Sequence, residues 1–544
     1  MKKICAFTLI ILLGFTLTIA RAQSASSPQD EPLRIKADLV QIDVVVTDKN
    51  NRPVLGLKKE DFILQEDGKP QEISFFALHR ASGAGATEAQ LAEAAKRDPS
   101  LAPEPGRFIF IILDQYNISP TNRQSLRESL LRFIAEDVGS QDHVAIIGTS
   151  GSLVVFQQAT RNRRAQELAI EAFLSVGPDL KSALAVDQAL NDAQKELGLT
   201  ASQSGGAYQE YILRKTLSAL RDIAKGVSEL PGRKIAIFVS ENLPFQFTSS
   251  AGIDDNISYE LTQVISRSRR GGLTFYTVDP RGLAVAIPSG TAAEAVGKSA
   301  LGGGTTSFED PGASADRLIS SRGGMRELAA ATGGFSIFDT NNVRAGLQRI
   351  MTENEAYYML AYYPQNASPD GKFHNIKVRV KDQPDLVVRT RKGYTAVKEK
   401  DQKPKSDSKQ DRISRSLASL APVRNVKVVI ARAAAMSNPQ TGERSVKMAI
   451  QIDPRSLSFL EGGNNKAGSF EVIGFIYDLK NKLVEGFSQT FKPNPESYQR
   501  LLARGIVIPG EIKLKKAGLY NIRVVVIDQE SGEMGTASEW IEAK

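Results

Sequence analysis

The carboxylate of Asp114 directly follows an apolar run, residues 107–113, and is the side chain best placed for chemistry. A short apolar run that stops at a polar residue is typical of a strand buried on both faces of a parallel sheet. Ser119 suits the cap of a following helix, and Pro120 suits its first position. Asp114 therefore falls just beyond the carboxyl end of a central strand, where open α/β sheets bind ligands.

The sequence offers no complete set of catalytic residues. Residues 148–152 approach the Gly-x-Ser-x-Gly motif of serine hydrolases, but Ser152 replaces the last glycine. The segment also joins two predicted strands, whereas that motif needs a strand followed by a helix. The three histidines, His79, His143 and His374, each lie within or beside a predicted strand, where a structural role is expected. We therefore expect that the protein is not an enzyme.

Strands and helices alternate between residues 107 and 356, which predicts a doubly wound, mostly parallel α/β sheet. The turn Ser150-Gly151 separates two apolar runs and predicts that one antiparallel strand joins this sheet. The predicted strands are 107–113, 143–149, 152–158, 234–240, 273–279 and 335–339, and the predicted helices are 120–137, 211–229, 255–269, 322–332 and 342–354.

The N-terminus reads as an export signal. Lys2 and Lys3 precede an apolar stretch, residues 6–20, that is short for a membrane span, and Ala20-Arg21-Ala22 suits a cleavage site. The alternative is a retained N-terminal anchor. Cleavage would remove Cys5, the only cysteine, which excludes disulfides and thiol catalysis in the mature chain. We expect a periplasmic or extracellular protein with no later transmembrane segment.

Composition and hydrophobic periodicity divide the rest of the chain into β-strand domains and linkers. Period-two alternation and an Asp67-Gly68 turn predict strands before the α/β segment, and five regularly spaced strands are predicted near the C-terminus. The net charge is +8, and the short basic clusters lack interleaved aromatic residues, so we expect no nucleic-acid partner. The predicted segments are a signal peptide (1–22), an N-terminal β-sandwich (32–80), a linker (81–106), the α/β domain (107–356), a strand extension packing on the N-terminal sandwich (357–397), a charged linker (398–412) and a C-terminal β-sandwich (413–544).

Several stretches stand in a specific order along residues 34–397. They are VVVTDKNNRPVLGLKKEDFILQEDGKPQEISFF, the Asp114 strand, FYTVDPRGL, LAAATGG, YYMLAYYPQ, DGKFHNIKVRV and RTRKGY. In this order they resemble the bacterial von Willebrand factor A-related proteins of the acidobacterial type. The resemblance implies a von Willebrand factor A fold, in which helices cover both faces of a mostly parallel sheet and the ligand surface lies at the strand carboxyl ends.

Domains of that fold often carry a metal-ion-dependent adhesion site, where oxygen ligands hold Mg²⁺ or Mn²⁺ and a partner carboxylate fills the open position. The family pattern of Asp-x-Ser-x-Ser is degenerate here, because Tyr116 and Ile118 replace the two serines and residues 177–181 contain no threonine. The resemblance implies a rearranged metal site. Its ligands would be Asp114, Asn117 and Glu241, and the surrounding partner-binding surface would include Gln115, Tyr116, Ser119, Asn242 and Asp279.

The sequence therefore favours an exported, non-catalytic module for adhesion or scaffolding that binds protein partners of the cell envelope or outside the cell. One alternative is a structural envelope component in which Asp114 and Glu241 only hold loops by hydrogen bonds. A hydrolase is the third and least favoured reading, given the incomplete motifs.

Overall fold

The computed structural model describes residues 39–80, 106–149, 153–175, 201–245, 247–249, 252–283, 311–364, 372–395, 408–437, 440, 443–458, 468–493 and 498–543. The predicted signal peptide, nearly all of the linker 81–106, the loop 177–181 and the first part of the charged linker lie outside these residues. Within the described part of the chain, no helix combines the length and apolar character needed to cross a bilayer.

The described chain contains strands and helices throughout. The strands are β1 (Val40–Thr47), β2 (Phe62–Glu66), β3 (Lys69–Gln71), β4 (Phe75–Arg80), β5 (Phe108–Leu113), β6 (His143–Thr149), β7 (Leu153–Thr160), β8 (Lys234–Val239), β9 (Phe247–Ser249), β10 (Gly252–Asp254), β11 (Leu273–Val278), β12 (Ser336–Ile337), β13 (Ala356–Tyr362), β14 (Phe373–Val380), β15 (Val387–Arg389), β16 (Gly393–Thr395), β17 (Val428–Ser437), β18 (Arg444–Ile452), β19 (Phe470–Tyr477), β20 (Leu483–Phe491), β21 (Ile506–Leu514), β22 (Gly518–Asp528) and β23 (Met534–Ala543). The α-helices are α1 (Pro120–Arg132), α2 (Arg163–Ser175), α3 (Ala201–Gly226), α4 (Asp255–Arg270), α5 (Pro311–Thr332), α6 (Val343–Glu353), α7 (Lys409–Ala418) and α8 (Tyr498–Arg504).

The central sheet has six strands in the order β12-β11-β8-β5-β6-β7. All neighbours are parallel except β6 and β7, which form the antiparallel hairpin that the sequence predicts. Every residue of β5, β8 and β11 is buried, because helices cover both faces of the sheet. The structure thus confirms a mixed α/β chain with a mostly parallel central sheet.

Strand β5 shows how the two faces are filled. Ile109, Ile111 and Leu113 belong to one core with side chains of α1, α2 and α6, while Phe110 and Ile112 belong to the opposite core with α3, α4 and α5. Alternate residues of a strand point to opposite faces, so an unbroken apolar run is what a strand covered on both faces requires. This packing holds the carboxyl end of β5 in a fixed position.

Two four-stranded sheets, β15-β1-β13-β4 and β16-β14-β2-β3, share a separate core that includes Ile42, Leu64 and Leu360. β13 lies between β1 and β4, and β14 pairs with β2. Of the strands in the predicted extension, β13 and β14 are therefore interior members of these sheets, whereas β15 and β16 lie at their edges. The assignment of the whole as a von Willebrand factor A domain between two β-sandwiches stays a prediction.

The C-terminal strands form the sheets β17-β18-β21 and β20-β19-β22-β23 around a core of their own. The sequence predicts five of these seven strands and misses β21, which contains Pro509 and Gly510, and β23, whose apolar alternation is irregular. β23 packs against β7, where Trp540 Nε1 donates to the carbonyl of Phe156 at 2.9 Å. The C-terminal part therefore covers the edge strand of the central sheet, which would otherwise expose unpaired backbone groups.

Several predicted boundaries differ from the structure, and the local contacts explain two of them. The charged linker does not extend to Arg412, because α7 begins at Lys409. Ser408 Oγ accepts from the amide of Asp411 at 3.1 Å, and the Asp411 carboxylate accepts from the amide of Ser408 at 3.3 Å. This reciprocal cap starts a helix within a charged segment. The helix predicted for 120–137 is α-helical only to Arg132 and ends in a π-helical turn, Phe133–Asp137.

Candidate functional site

The register of the central sheet sets four polar residues in a row at its carboxyl edge. Leu113 pairs with both Gly148 of β6 and Val239 of β8, and Val239 pairs with Val278 of β11. The next residue on each of these strands is polar. The row, which we call the edge row, consists of Thr149, Asp114, Ser240 and Asp279, and all four side chains are buried.

Asp114 is the centre of a hydrogen-bond network in the edge row. Its Oδ1 accepts from the hydroxyl of Thr149 at 3.1 Å. Its Oδ2 accepts from the hydroxyl of Ser240 and from the amide Nδ2 of Asn117, both at 2.9 Å. Three loops of the edge therefore converge on one carboxyl group, and each loop is held by a side-chain hydrogen bond.

Burial raises the pKa of Asp114 to about 6, from an ordinary value of 3.8. Loss of hydration is the largest cause, because the side chain is fully enclosed and water solvates a carboxylate better than the interior does. The hydrogen bonds from Asn117, Ser240 and Thr149 oppose this effect by stabilising the ionised form. The carboxyl group consequently titrates within reach of neutral pH.

Glu241 lies close to this network but its carboxylate points elsewhere. Its backbone amide donates to the carbonyl of Asn117 at 2.8 Å. Its Oε1 accepts from the amide and the hydroxyl of Ser119, at 2.8 and 2.9 Å, and from Nδ2 of Asn122 at 2.9 Å. Glu241 therefore caps the N-terminus of α1 from a different loop, a role in which a carboxylate is stabilised by unpaired amides and the helix dipole.

The three expected metal ligands do not fit a single ion in this arrangement. Asn117 presents its amide nitrogen, a hydrogen-bond donor, towards Asp114, and both oxygens of Asp114 already accept hydrogen bonds. Glu241 is directed to the first turn of α1. An octahedral Mg²⁺ or Mn²⁺ requires converging oxygen atoms at about 2.1 Å. The prediction that Asp114, Asn117 and Glu241 form the ligand set is therefore corrected to a protein hydrogen-bond network and a helix cap.

Asp279 ends the edge row in an ion-pair cluster. Its carboxylate contacts Arg281 on the same loop, at 2.8 Å, and Arg322 of α5, at 2.6 Å. Arg322 also contacts Asp339 at 3.0 Å. Because two guanidinium groups neutralise and enclose Asp279, this carboxylate holds the loop after β11 to α5, and the prediction that it contacts a partner is wrong.

The remaining predicted surface residues differ in exposure. Tyr116, Ser119 and Asn242 are partly exposed, as a contact surface requires. Gln115 is buried, because it begins a short 3-10 turn directly after β5, so its assignment to the contact surface is also wrong. The short turn tucks Gln115 inward and leaves Tyr116 outside.

Sequence reasoning missed Thr149 and, as a partner of Asp114, Ser240. The family pattern predicts a threonine in the later loop, residues 177–181, whereas Thr149 is the last residue of β6. The signal was present, since parallel strands that end together bring their next residues to one edge. If the predicted apolar runs 107–113, 143–149 and 234–240 are aligned at their ends, Thr149, Asp114 and Ser240 fall at nearly the same level of the sheet.

Exposed apolar side chains lie on the segments that follow β8 and β11 at this edge and on the neighbouring helix α5. Phe245, Leu283 and Ile319 are 41%, 61% and 56% exposed. Their segments are joined at Ser321 of α5, whose carbonyl accepts from the amide of Leu243 at 2.8 Å and whose hydroxyl accepts from Arg281 at 3.2 Å. The edge thus combines firmly held loops with apolar residues that face solvent.

Comparisons with known proteins give no family assignment. No family model matches the chain, and no curated protein matches it. The solved structures similar to it include the conserved hypothetical protein BatB of Bacteroides thetaiotaomicron, at 13% identity and a TM-score of 0.23, covering 46% of this chain and 98% of that one. An aerotolerance-related membrane protein of Bacteroides fragilis has 14% identity and a TM-score of 0.26, with the same coverage. At TM-scores this low, the similarity indicates neither a family nor a function for this chain.

The raised pKa of Asp114 predicts a specific pH dependence. Because its folded-state pKa lies above the ordinary value, its stabilising contribution is fully present below about pH 3.8 and is lost as the pH rises through about 6. A pKa shift of this size contributes roughly 3 kcal/mol to the free energy of unfolding when the group is protonated in both states. In urea unfolding, the free energy of unfolding of Asp114→Asn relative to that of the wild type should rise by about 2 kcal/mol between pH 4 and pH 7. If the difference in the free energy of unfolding between Asp114→Asn and the wild type does not change with pH, the Asp114 pKa is not raised.

The cap formed by Glu241 predicts a local loss of protection in α1. Glu241→Ala removes the acceptor for the Ser119 amide and should destabilise the first turn by about 1 kcal/mol. Glu241→Gln keeps a side-chain carbonyl and should retain most of the effect. The hydrogen-exchange rate of the Ser119 amide measures the effect of each of the two substitutions. Glu128→Ala, on the exposed face of α1, is the control. Unchanged exchange in Glu241→Ala would show that the cap has no energetic role.

Proposed function

We propose that the chain is an exported, non-catalytic protein-binding module for adhesion or scaffolding, and that it presents the carboxyl edge of its central sheet to a protein partner of the cell envelope or outside the cell. We further propose that the α/β part is a domain of the von Willebrand factor A type, as the sequence resemblance implies. The observation that carries the proposal is the combination at this edge of anchored loops with exposed Phe245, Leu283 and Ile319.

The energetics of association support this role for the edge. Burying apolar surface is the main favourable contribution to protein association, at about 25 cal/mol per Å². Ordering loops on binding opposes it, so a surface whose loops are already held loses less free energy when it binds. Asp114 and Asp279 supply such anchoring, the first by hydrogen bonds and the second by ion pairs.

The same contacts disfavour catalysis at the edge. A general acid or base must reach the reacting atom of a substrate. Asp114 and Asp279 are both fully buried. Of the three histidines, His143 begins β6 at the opposite end of the sheet, and His79 and His374 belong to the strands of other sheets. The edge therefore resembles a contact surface more than a substrate cleft, and the proposed binding does not require a divalent ion.

The proposal predicts that capture of a partner depends on the apolar edge residues. Mature wild-type protein, immobilised and exposed to envelope extracts of the producing cells, should retain a partner that the double variant Phe245→Ser, Leu283→Ser captures at least about tenfold less, a loss typical of interface anchors. The matched control is Leu483→Ser, Val484→Ser on β20, where the exposure is similar at 50% and 37%. Circular dichroism of all three proteins verifies folding.

Two outcomes would contradict the proposal. If the wild type retains no partner, with or without divalent ions, a structural role for the chain is favoured. If the edge variant and the β20 variant retain the same partner equally, binding takes place on another surface.

A further inference from the structure

A second cluster of charged side chains lies outside the edge row, in the sheet β16-β14-β2-β3. Glu66 is the last residue of β2, Asp67 begins the turn to β3, and His374 is the second residue of β14. Pairing of β2 with β14 sets Glu66 opposite Ile376 and so brings all three side chains to one end of the sheet. Their potential ligand atoms lie within 4.8 Å of one another.

The two distances from the His374 imidazole in this cluster are close to the separation of ligand atoms around a metal ion. His374 Nδ1 lies 3.3 Å from Oε1 of Glu66 and 2.9 Å from Oδ2 of Asp67. Two ligands at 2.0–2.1 Å from a tetrahedral ion are separated by about 3.3 Å. The Glu66–His374 pair already has this separation. The 2.9 Å between His374 Nδ1 and Asp67 Oδ2 is shorter, so these two atoms must separate by a few tenths of an ångström to hold an ion. The Asp67 side chain lies at a partly exposed turn, which allows it to adjust.

Neighbouring groups orient two of these side chains. Glu66 is buried, and its Oε1 accepts from the hydroxyl of Tyr394 at 2.9 Å. Asp67 Oδ1 accepts from the amide of Asn375 at 2.8 Å, which turns Oδ2 towards His374. Carboxylates that bind metals are commonly held in this way by a second hydrogen bond.

A buried tyrosine hydroxyl beside this cluster lacks a well-placed hydrogen-bond partner. Tyr362 is fully buried, and its hydroxyl lies near Glu66 and Tyr394 but makes no hydrogen bond of good geometry to the described residues. A buried polar group without a hydrogen-bond partner destabilises the folded protein. A water molecule on a bound ion, or a carboxylate repositioned by one, would provide the missing partner.

We propose that Glu66, Asp67 and His374 bind one divalent transition-metal ion of the zinc type. Two carboxylates neutralise the charge of the ion, and the imidazole nitrogen favours zinc over the harder Mg²⁺ and Ca²⁺. Three protein ligands leave a fourth position for water or for a donor atom of a partner. The ion links the β2–β3 turn to β14, and the site is independent of the proposed binding edge.

Titration of chelator-treated mature protein with ZnCl₂, followed by calorimetry, tests the site. We expect one Zn²⁺ per chain in the wild type and at least about tenfold weaker binding in both Asp67→Asn and His374→Gln. Asparagine tolerates the positive φ of 48° at position 67, so the first variant should fold. His79→Gln, a histidine of β4 outside the cluster, is the matched control and should bind as the wild type does.

A thermal melt adds a second readout, because an ion that binds only the folded state raises the melting temperature. The rise should be present in the wild type and in His79→Gln and absent in the two ligand variants. Failure of the wild type to bind zinc at millimolar concentration, equal binding by the ligand variants, or tighter binding of Mg²⁺ than of Zn²⁺ would each overturn the proposal.

Discussion

The arrangement of the carboxyl edge depends on the burial of one carboxyl group. Asp114 lies at the end of a strand that is enclosed on both faces, and its hydration is lost completely. An unpaired buried charge would be very unfavourable, so the group must take up a proton or be surrounded by donors. Thr149, Ser240 and Asn117 provide those donors. The loops that carry them consequently have little freedom to move apart.

Parallel register explains why these particular residues meet. The strands β6, β5, β8 and β11 end at the same level, so the first residue after each paired segment enters the edge row. In the row, hydroxyls flank Asp114, whereas Asp279 lies beside arginines of neighbouring elements. The two carboxylates thereby stabilise different loops by different means, one through neutral donors and the other through ion pairs.

Much of the fold follows from the sequence, since continuous apolar runs identify β5, β8 and β11, and the Ser150-Gly151 turn identifies the β6–β7 hairpin. The candidate site is harder to predict from the sequence. Asp114 is recognisable from its position after a buried strand, but a sequence does not show that the Asn117 amide turns its nitrogen inward or that Glu241 reaches across to α1. Those choices depend on side-chain rotamers and on the distance between two loops. Likewise, Glu66, Asp67 and His374 are far apart in sequence, and only the pairing of β2 with β14 brings them together.

We infer that protein hydrogen bonds to Asp114, and not a divalent ion, organise the carboxyl edge. The most direct test is the melting temperature during titration with Mg²⁺, in the His374→Gln background and in the same background with Asp114→Ala. We expect that millimolar Mg²⁺ raises the melting temperature of neither protein, because the ligand atoms do not converge. A rise in the protein that retains Asp114, lost in Asp114→Ala, would contradict the account and restore a metal-dependent adhesion site.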